Sequence, residues 1–205
     1  MNIDIKLHKD DLPEDLNLGN SVAVDGEFLG LNVKRDPLFL IQFSSGNFDA
    51  LIVKINRNNY KAPNTIKILE NPEIKKIFHF ARADLAFINY YFKAKVKNID
   101  CTKIKSKLSR TYTDKHGLKD LCKELLEKDL NKTQQSSDWS AKELSSNQLK
   151  YASNDVIFLV ELKQILELML KREGRYELSE KLFTFLSTRV DLDFLGWNDI
   201  DIFSH

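Results

Sequence analysis

The order of strand and helix patterns constrains the fold of this chain more than any other feature. Three strand-forming runs come first, at residues 21–28, 38–43 and 48–53. Residues 44–47, Ser-Ser-Gly-Asn, are turn formers that favour a hairpin between the second and third runs. We therefore expect the first three strands to be consecutive and antiparallel.

Beyond residue 60 the pattern changes to an alternation of helix and strand. Helical spacing at residues 65–69 and 82–92 alternates with short strand patterns at 76–80 and 96–101. Such alternation is typical of parallel crossover units in an α/β sheet. The sequence thus predicts an α/β fold with a mixed sheet of about five strands flanked by helices.

Only helical patterns follow residue 102. They predict helices at 118–127, from 148 to about 171, and at about 176–188, and Ser145 or Ser146 is the expected cap of the long one. The 205 residues are 42% hydrophobic, with no internal repeat. We expect one domain, with a core at about 20–170 and C-terminal helices at about 171–205.

Charge and cysteine content exclude several classes of protein. The 31 Lys and Arg nearly balance the 30 Asp and Glu, and a net charge of +1 excludes a strongly basic coat for duplex DNA. Cys101 and Cys122 lie far apart without zinc-ligand spacing, which favours a reducing compartment. No apolar run reaches the roughly 18–20 residues of a membrane span. We expect a cytoplasmic protein with no membrane partner.

Two carboxylates occupy the first strand run. Asp25 and Glu27 are two residues apart, so both side chains point to one face of the sheet. The simplest explanation of such a pair is a face that meets solvent or a buried arginine. Val22, Val24 and Phe28 make the surroundings apolar, where burying two anions costs on the order of several kcal/mol. The pair is therefore a candidate functional site.

Later parts of the chain add one more acidic residue and a tyrosine–aspartate pair. Asp84 stands near the start of a predicted helix that follows a strand, where helix capping is an alternative explanation. Tyr151 and Asp155 are four residues apart on the long helix, hence on one face. Each feature is ordinary alone, but the three in this order form a specific pattern.

The pattern resembles the ribonuclease D branch of the 3′→5′ exonucleases, the class with four acidic residues and a tyrosine. Residues 24–31 with 40–45 are similar to its first motif, 79–84 to its second and 148–155 to its third. Residues 116–119 and 132–139 also resemble that family, so the similarity covers roughly 20–170. Gly26 and Glu143 depart from its usual residues. Larger members carry accessory helical (HRDC) domains, and we expect a short form without them.

The resemblance implies a ribonuclease H-like fold and two divalent cations, Mg²⁺ or Mn²⁺. It implies that Asp25 bridges the ions, that Glu27 and Asp155 bind the ion carrying the attacking water, and that Asp84 binds the second ion. The Tyr151 hydroxyl would orient the water. The expected activity is metal-dependent 3′→5′ exoribonuclease action on single-stranded RNA 3′ ends, releasing nucleoside 5′-monophosphates, in tRNA or structured-RNA processing.

Further residues in the motifs are candidates for substrate binding. Phe28 and Leu31 would form an apolar wedge against the terminal base, with core packing as the alternative for both. A glycine at position 26 would let the backbone approach the nucleotide closely. The full candidate set is Gly26, Phe28, Leu31, His79, Arg82, Gln135 and Trp139; for His79 the alternative is packing, and for Trp139 anchoring of its loop.

Several alternatives stay open. The same metal chemistry serves a 3′→5′ DNA exonuclease, and a catalytically silent nucleic-acid-binding module would keep the same fold. The run of basic residues between Lys93 and Arg110 either holds phosphates or forms a solvated face. The oligomeric state cannot be predicted from the sequence.

Overall fold

A mixed sheet of six strands forms the centre of the computed structural model, which describes residues 3–130 and 137–205. In spatial order the strands are β1-β4-β3-β2-β5-β6. Their bounds are β1 Asp4–Lys9, β2 Ser21–Phe28, β3 Leu38–Ser44, β4 Asp49–Lys54, β5 Lys75–Phe78 and β6 Ile99–Cys101. The pairs β2–β3 and β3–β4 are antiparallel, whereas β2–β5 and β5–β6 are parallel. Both the predicted meander and the predicted crossovers are confirmed.

The expected count of about five strands was one too low. The additional strand is β1, which pairs in parallel with β4 in a register running from Asp4↔Asp49 to Lys9↔Lys54. Its alternation of charged and aliphatic residues is the period-two pattern of an edge strand with one face on the core. Charged residues interrupt the short apolar pattern of β1, so the sequence pattern did not distinguish this strand from an exposed terminus.

Seven helices lie among the described residues and flank the sheet. They are α1 Pro63–Glu70, α2 Ala81–Phe92, α3 Thr102–Ser109, α4 Leu118–Leu126, α5 Ser146–Ile157, α6 Leu159–Arg172 and α7 Tyr176–Phe194. Helix α3 was not predicted, and α7 runs several residues beyond its expected end. Within the described ranges, none of the helices has the length and apolarity needed to cross a membrane.

The predicted long helix is two helices that meet at Phe158. Four consecutive apolar residues, Val156–Ile157–Phe158–Leu159, are all buried around the junction. A straight helix would turn some of them towards solvent, whereas the break lets α5 pack on β2, β3 and β4 and lets α6 pack on α3, α4 and β5. Helical periodicity continues through the break, so the sequence did not reveal it.

The two faces of the sheet bury different residue sets because side chains alternate along each strand. Val22 and Val24 of β2 pack in a cluster with residues of α1, α2 and α7. Ala23, between them, packs on the opposite face with residues of α4, α5 and α6. Asp25 and Glu27 share the parity of Ala23, so β2 directs both carboxylates towards α5.

The basic run between Lys93 and Arg110 is not one continuous charged face. Lys105 is fully buried, forms an ion pair with Asp100 and donates to Glu167, at 2.7 Å each. Arg110 is also fully buried and pairs with Glu124. These two cations stabilise the packing of α3, so only the other basic residues of the run remain accessible to a phosphate.

Candidate active site

Three carboxylates from two elements converge above the middle of the sheet. Asp25 and Glu27 on β2 and Asp155 on α5 each offer an oxygen within 4.8 Å of those of the other two. β2 lies between β3 and β5, so its position is fixed on both sides. At the start of α5, the Ser145 Oγ accepts from the Gln148 N–H while the Gln148 side chain accepts from the Ser145 N–H. This capping box sets the register that brings Asp155 to the cluster.

Asp84 reaches the same cluster from α2, which begins just after β5. Its side chain is buried, and its Oδ1 lies 3.4 Å from the position that a Cβ on Gly26 would occupy. The same Cβ would come within 3.0 Å of the Phe28 ring. The glycine expected to contact the terminal nucleotide also has a packing role, because a side chain at this position would crowd the Phe28 ring.

The four carboxylates destabilise one another's charged forms. Burial, followed by the charges of Asp84, Asp155 and Glu27, raises the pKa of Asp25 well above its ordinary value. Burial and the charges of Asp155 and Asp84 likewise raise the pKa of Glu27. Burial raises the pKa of Asp84 to about 8, although the backbone N–H groups of Asp84 and Gly26 oppose the rise. Such a group of hard oxygen ligands matches the preference of Mg²⁺ and Mn²⁺, which would neutralise it.

Tyr151 lies one turn before Asp155 on α5 and faces the carboxylates. Burial raises the pKa of its hydroxyl, and the negative charges of Asp155, Glu27 and Asp25 raise it further. The hydroxyl is therefore protonated at neutral pH and can donate a hydrogen bond, whereas it is a poor proton acceptor. A protonated hydroxyl suits the orienting role that the family resemblance implies for Tyr151.

Gln42 belongs to the cluster but was not among the predicted site residues. It pairs with Asp25 across the β2–β3 ladder, is fully buried, and donates from Nε2 to the Glu27 carboxylate at 3.5 Å. The signal that could have identified it is a single amide in the otherwise apolar strand run 38–43. Its contact orients Glu27 towards Asp25 and Asp155.

The residues expected to form a wedge have different environments. Phe28 stacks on Phe87 of α2 with ring centroids 3.9 Å apart, so it is largely a packing residue. Leu31 is 73% exposed and projects from the loop after β2. It borders a cavity of about 590 Å³ that is also lined by Ala83 and Phe87. Ala83 precedes Asp84 in the sequence, but none of the four carboxylates lines the cavity. Of the pair, the exposed Leu31 remains the better wedge candidate.

The other candidate substrate residues have partners within the protein. His79 contacts the Thr102 hydroxyl through Nδ1 at 2.9 Å, which ties β5 to the start of α3. Arg82 forms a bidentate ion pair with Asp193. Trp139 is buried and packs against Tyr151, as its loop-anchoring alternative requires. Gln135 lies outside the described residues.

Comparisons with known proteins agree with this geometry. A family model described as 3′-5′ exonuclease matches residues 3–171. A structure of Brucella melitensis NrnC with bound Mg²⁺ is 46% identical, with a TM-score of 0.94 over 99% of this chain and 100% of that one. A second structure of that protein, bound to pGG, is 47% identical with a TM-score of 0.95, over 100% of both chains.

Curated relatives point the same way. Ribonuclease D of Gluconacetobacter diazotrophicus is 30% identical over 156 residues, 76% of this chain. The chain spans only 39% of the length of that relative. Escherichia coli RNase D, at 21% identity and a TM-score of 0.77 over 98% of this chain and 54% of that one, shares the fold. The chain therefore belongs to the family of 3′-5′ exonucleases that includes ribonuclease D and NrnC.

Proposed function

We propose that this protein is a metal-dependent 3′→5′ exoribonuclease that releases nucleoside 5′-monophosphates from the 3′ ends of single-stranded RNA. The observation that carries the proposal is the convergence of Asp25, Glu27 and Asp155, whose carboxylate oxygens lie within 4.8 Å of one another. Asp84 and Tyr151 complete the set. The charge of Asp84 raises the pKa of Asp25, and the charges of the carboxylates raise the pKa of the Tyr151 hydroxyl. Membership of the exonuclease family gives the reaction class.

The proposed cofactors are two divalent cations, Mg²⁺ or Mn²⁺, held by Asp25, Glu27, Asp84 and Asp155. Asp25 is the central ligand in this proposal, since the charges of all three other carboxylates raise its pKa. When bound, such ions generate a hydroxide nucleophile and stabilise the leaving 3′-oxygen. A neighbouring NrnC structure that contains Mg²⁺ supports the choice of metal.

The side chains around the carboxylates have separate tasks in this proposal. The protonated Tyr151 hydroxyl donates to the attacking water and fixes its direction. Gln42 keeps Glu27 turned towards Asp25. Leu31 and Phe87 offer apolar surface to the terminal base, where stacking is worth about 1–3 kcal/mol per base. Together these groups place the last phosphodiester beside the four carboxylates.

The substrate we favour is short single-stranded RNA in the cytoplasm. The B. melitensis NrnC structure, 47% identical over the whole chain, is bound to pGG, which makes a 5′-phosphorylated dinucleotide the first substrate to test. Trimming of tRNA or another structured RNA is the second candidate, because the curated relatives are ribonucleases D. A direct comparison of pGG with a 3′-extended tRNA distinguishes the two.

The test uses 5′-labelled RNA and DNA oligonucleotides of one sequence, with Mg²⁺, Mn²⁺ or a chelator. The proposal predicts a ladder that shortens from the 3′ end of the RNA, nucleoside 5′-monophosphates as products, and no reaction with chelator. Internal cleavage, or digestion that persists in chelator, would overturn it. Faster digestion of the DNA strand would instead assign the protein as a DNA exonuclease.

A further inference from the structure

The cavity that Leu31 borders has one wall formed by the end of α7 and the residues just after it. One side consists of the loop that carries Leu31, and the floor includes Phe80 and Phe87 of the α2 region. The opposite wall consists of Phe194 at the end of α7 and of Asn198 and Asp199 beyond it. A volume of about 590 Å³ is in the range of about 300–1,000 Å³ found for small-ligand sites.

Two arginines hold this wall in place through one carboxylate. Arg82 donates to both oxygens of Asp193 at 2.7 Å and to the Asn198 carbonyl at 2.9 Å. Arg189 donates to Asp193 and to the carbonyl of Trp197. Residues 195–200 are exposed, and the backbone of this segment is also bonded to α7, as where the Trp197 N–H donates to the Leu192 carbonyl. Asp193 therefore orients two guanidinium groups that fix the segment Trp197–Asp199.

We propose that the Arg82–Asp193 ion pair is a positioning device that holds the segment Trp197–Asp199, and that this segment is the outer wall of a pocket for the terminal nucleotide at the cavity that Leu31 borders. This inference rests on the proposed function, since it assumes that the terminal nucleotide occupies the cavity. The wall lies beyond residue 171, where the match to the family model ends. Residues outside the shared exonuclease motifs thus determine how tightly the terminal nucleotide is held.

The geometry also distinguishes this role from direct binding of phosphate by Arg82. A bidentate contact with a carboxylate uses the planar fork of the guanidinium that would otherwise grip a phosphate. A third hydrogen bond, to the Asn198 carbonyl, occupies it further. Arg82 itself lines the cavity, but its donors are used by Asp193 and by the Asn198 carbonyl, so its main effect on a bound nucleotide would come through the wall.

The test measures steady-state hydrolysis of pGG and its equilibrium binding in Ca²⁺ for Arg82→Ala, Asp193→Ala and the double variant. We expect KM and the dissociation constant to rise at least about fivefold in each single variant, with kcat within about twofold. The double variant should bind pGG no more weakly than the single variant with the larger dissociation constant, because both residues act through one contact. Asp191→Asn, on the same helix but outside this cavity, is the matched control.

Unchanged KM and binding in Asp193→Ala, with a loss in Arg82→Ala alone, would overturn the inference and assign Arg82 as a direct substrate contact. If the alanine variants fail to fold, Asn198→Ala and Asp199→Ala test the exposed wall itself, and unchanged pGG binding in both would also overturn it. Absence of RNA hydrolysis by the unmodified protein would refute the proposed function. The binding of pGG in Ca²⁺ would still show whether the segment Trp197–Asp199 contributes to nucleotide binding.

Discussion

The indole of Trp139 lies against the ring of Tyr151, with ring centroids 6.0 Å apart and planes inclined by 40°. Trp139 is only 3% exposed. Its loop therefore packs an aromatic ring against α5, the helix that carries Asp155. The direction of the Tyr151 hydroxyl is therefore set by packing as well as by the neighbouring carboxylates.

Removal of that hydroxyl should affect turnover and leave binding nearly unchanged. Tyr151→Phe keeps the ring against Trp139 but removes the donor that orients the water, so we expect kcat to fall about 10- to 100-fold. Single-turnover hydrolysis and RNA binding measured side by side check this. Tyr90→Phe on α2 is the control for loss of a tyrosine hydroxyl, and equal turnover in both variants would remove Tyr151 from the mechanism.

Loss of one carboxylate charge should abolish metal-dependent hydrolysis. Asp155→Asn removes one of three closely spaced oxygen ligands, and we expect a loss of at least about 100-fold in kcat/KM. Mg²⁺ titrations of activity and calorimetric metal binding measure it. Glu161→Gln, exposed on α6, matches the charge change away from the site. A folded Asp155→Asn protein with ordinary Mg²⁺-dependent activity would contradict the ligand assignment.

The loop that carries Trp139 is held by a lysine of the sheet. Lys54 on β4 donates from Nζ to the carbonyl oxygens of Ala141 and Lys142. Lys54→Met keeps the aliphatic stem and leaves both carbonyls without this donor, at a cost of about 1 kcal/mol. We expect faster proteolysis of the loop and a several-fold lower kcat. Lys123→Met, largely exposed, is the control, and identical proteolysis of the two variants would show that Lys54 does not hold the loop.

Without metal, the stability of the protein should decrease as the pH rises. The pKa of Asp84 is raised to about 8 in the fold, against about 3.9 in an unfolded chain. Between these pH values the folded state binds more protons than the unfolded state. The contribution of Asp84 to the free energy of unfolding is therefore complete below about pH 4 and is lost as the pH rises towards 8. The maximum slope is about 1.4 kcal/mol per pH unit.

Thermal melts in chelator from pH 5 to pH 8 test this. We expect Tm to fall by about 4 °C per pH unit for a chain of this size. Asp84→Asn should reduce the slope of the profile, to which Asp25 and Glu27 also contribute, and Mg²⁺ should stabilise the protein more at pH 8 than at pH 5. A flat profile for the unmodified protein in chelator would show that Asp84 titrates normally.

Local patterns predicted the elements of the sheet that carry the carboxylates. The parity of residues 25 and 27 placed both on one face, and the four-residue spacing of Tyr151 and Asp155 placed both on one side of α5. Their convergence could not be derived from spacing, because the approach of α5 to β2 depends on long-range packing; it came from the family resemblance. Gln42 shows the same limit, since only the β2–β3 register brings it to Asp25.

Other charged residues show the same limit. The basic run suggested a charged surface, yet Lys105 is buried against Glu167, 62 residues away, and Arg110 is buried against Glu124, 14 residues away. Arg82 was predicted as a substrate-binding residue, and its ion-pair partner Asp193 lies 111 residues away. In each case the partner belongs to another helix, so the role of the charged side chain depends on the tertiary structure.

The break at Phe158 separates α5, where the position of Asp155 depends on the number of residues, from α6, whose length can change without moving Asp155. α5 has 12 residues, and its register is set at its start by the capping box. An insertion within α5 before Asp155 would rotate that carboxylate by about 100° away from Asp25 and Glu27. An insertion within α6 lies beyond the junction and leaves Asp155 where it is. Changes in length among homologues should therefore accumulate in α6 and be excluded from α5.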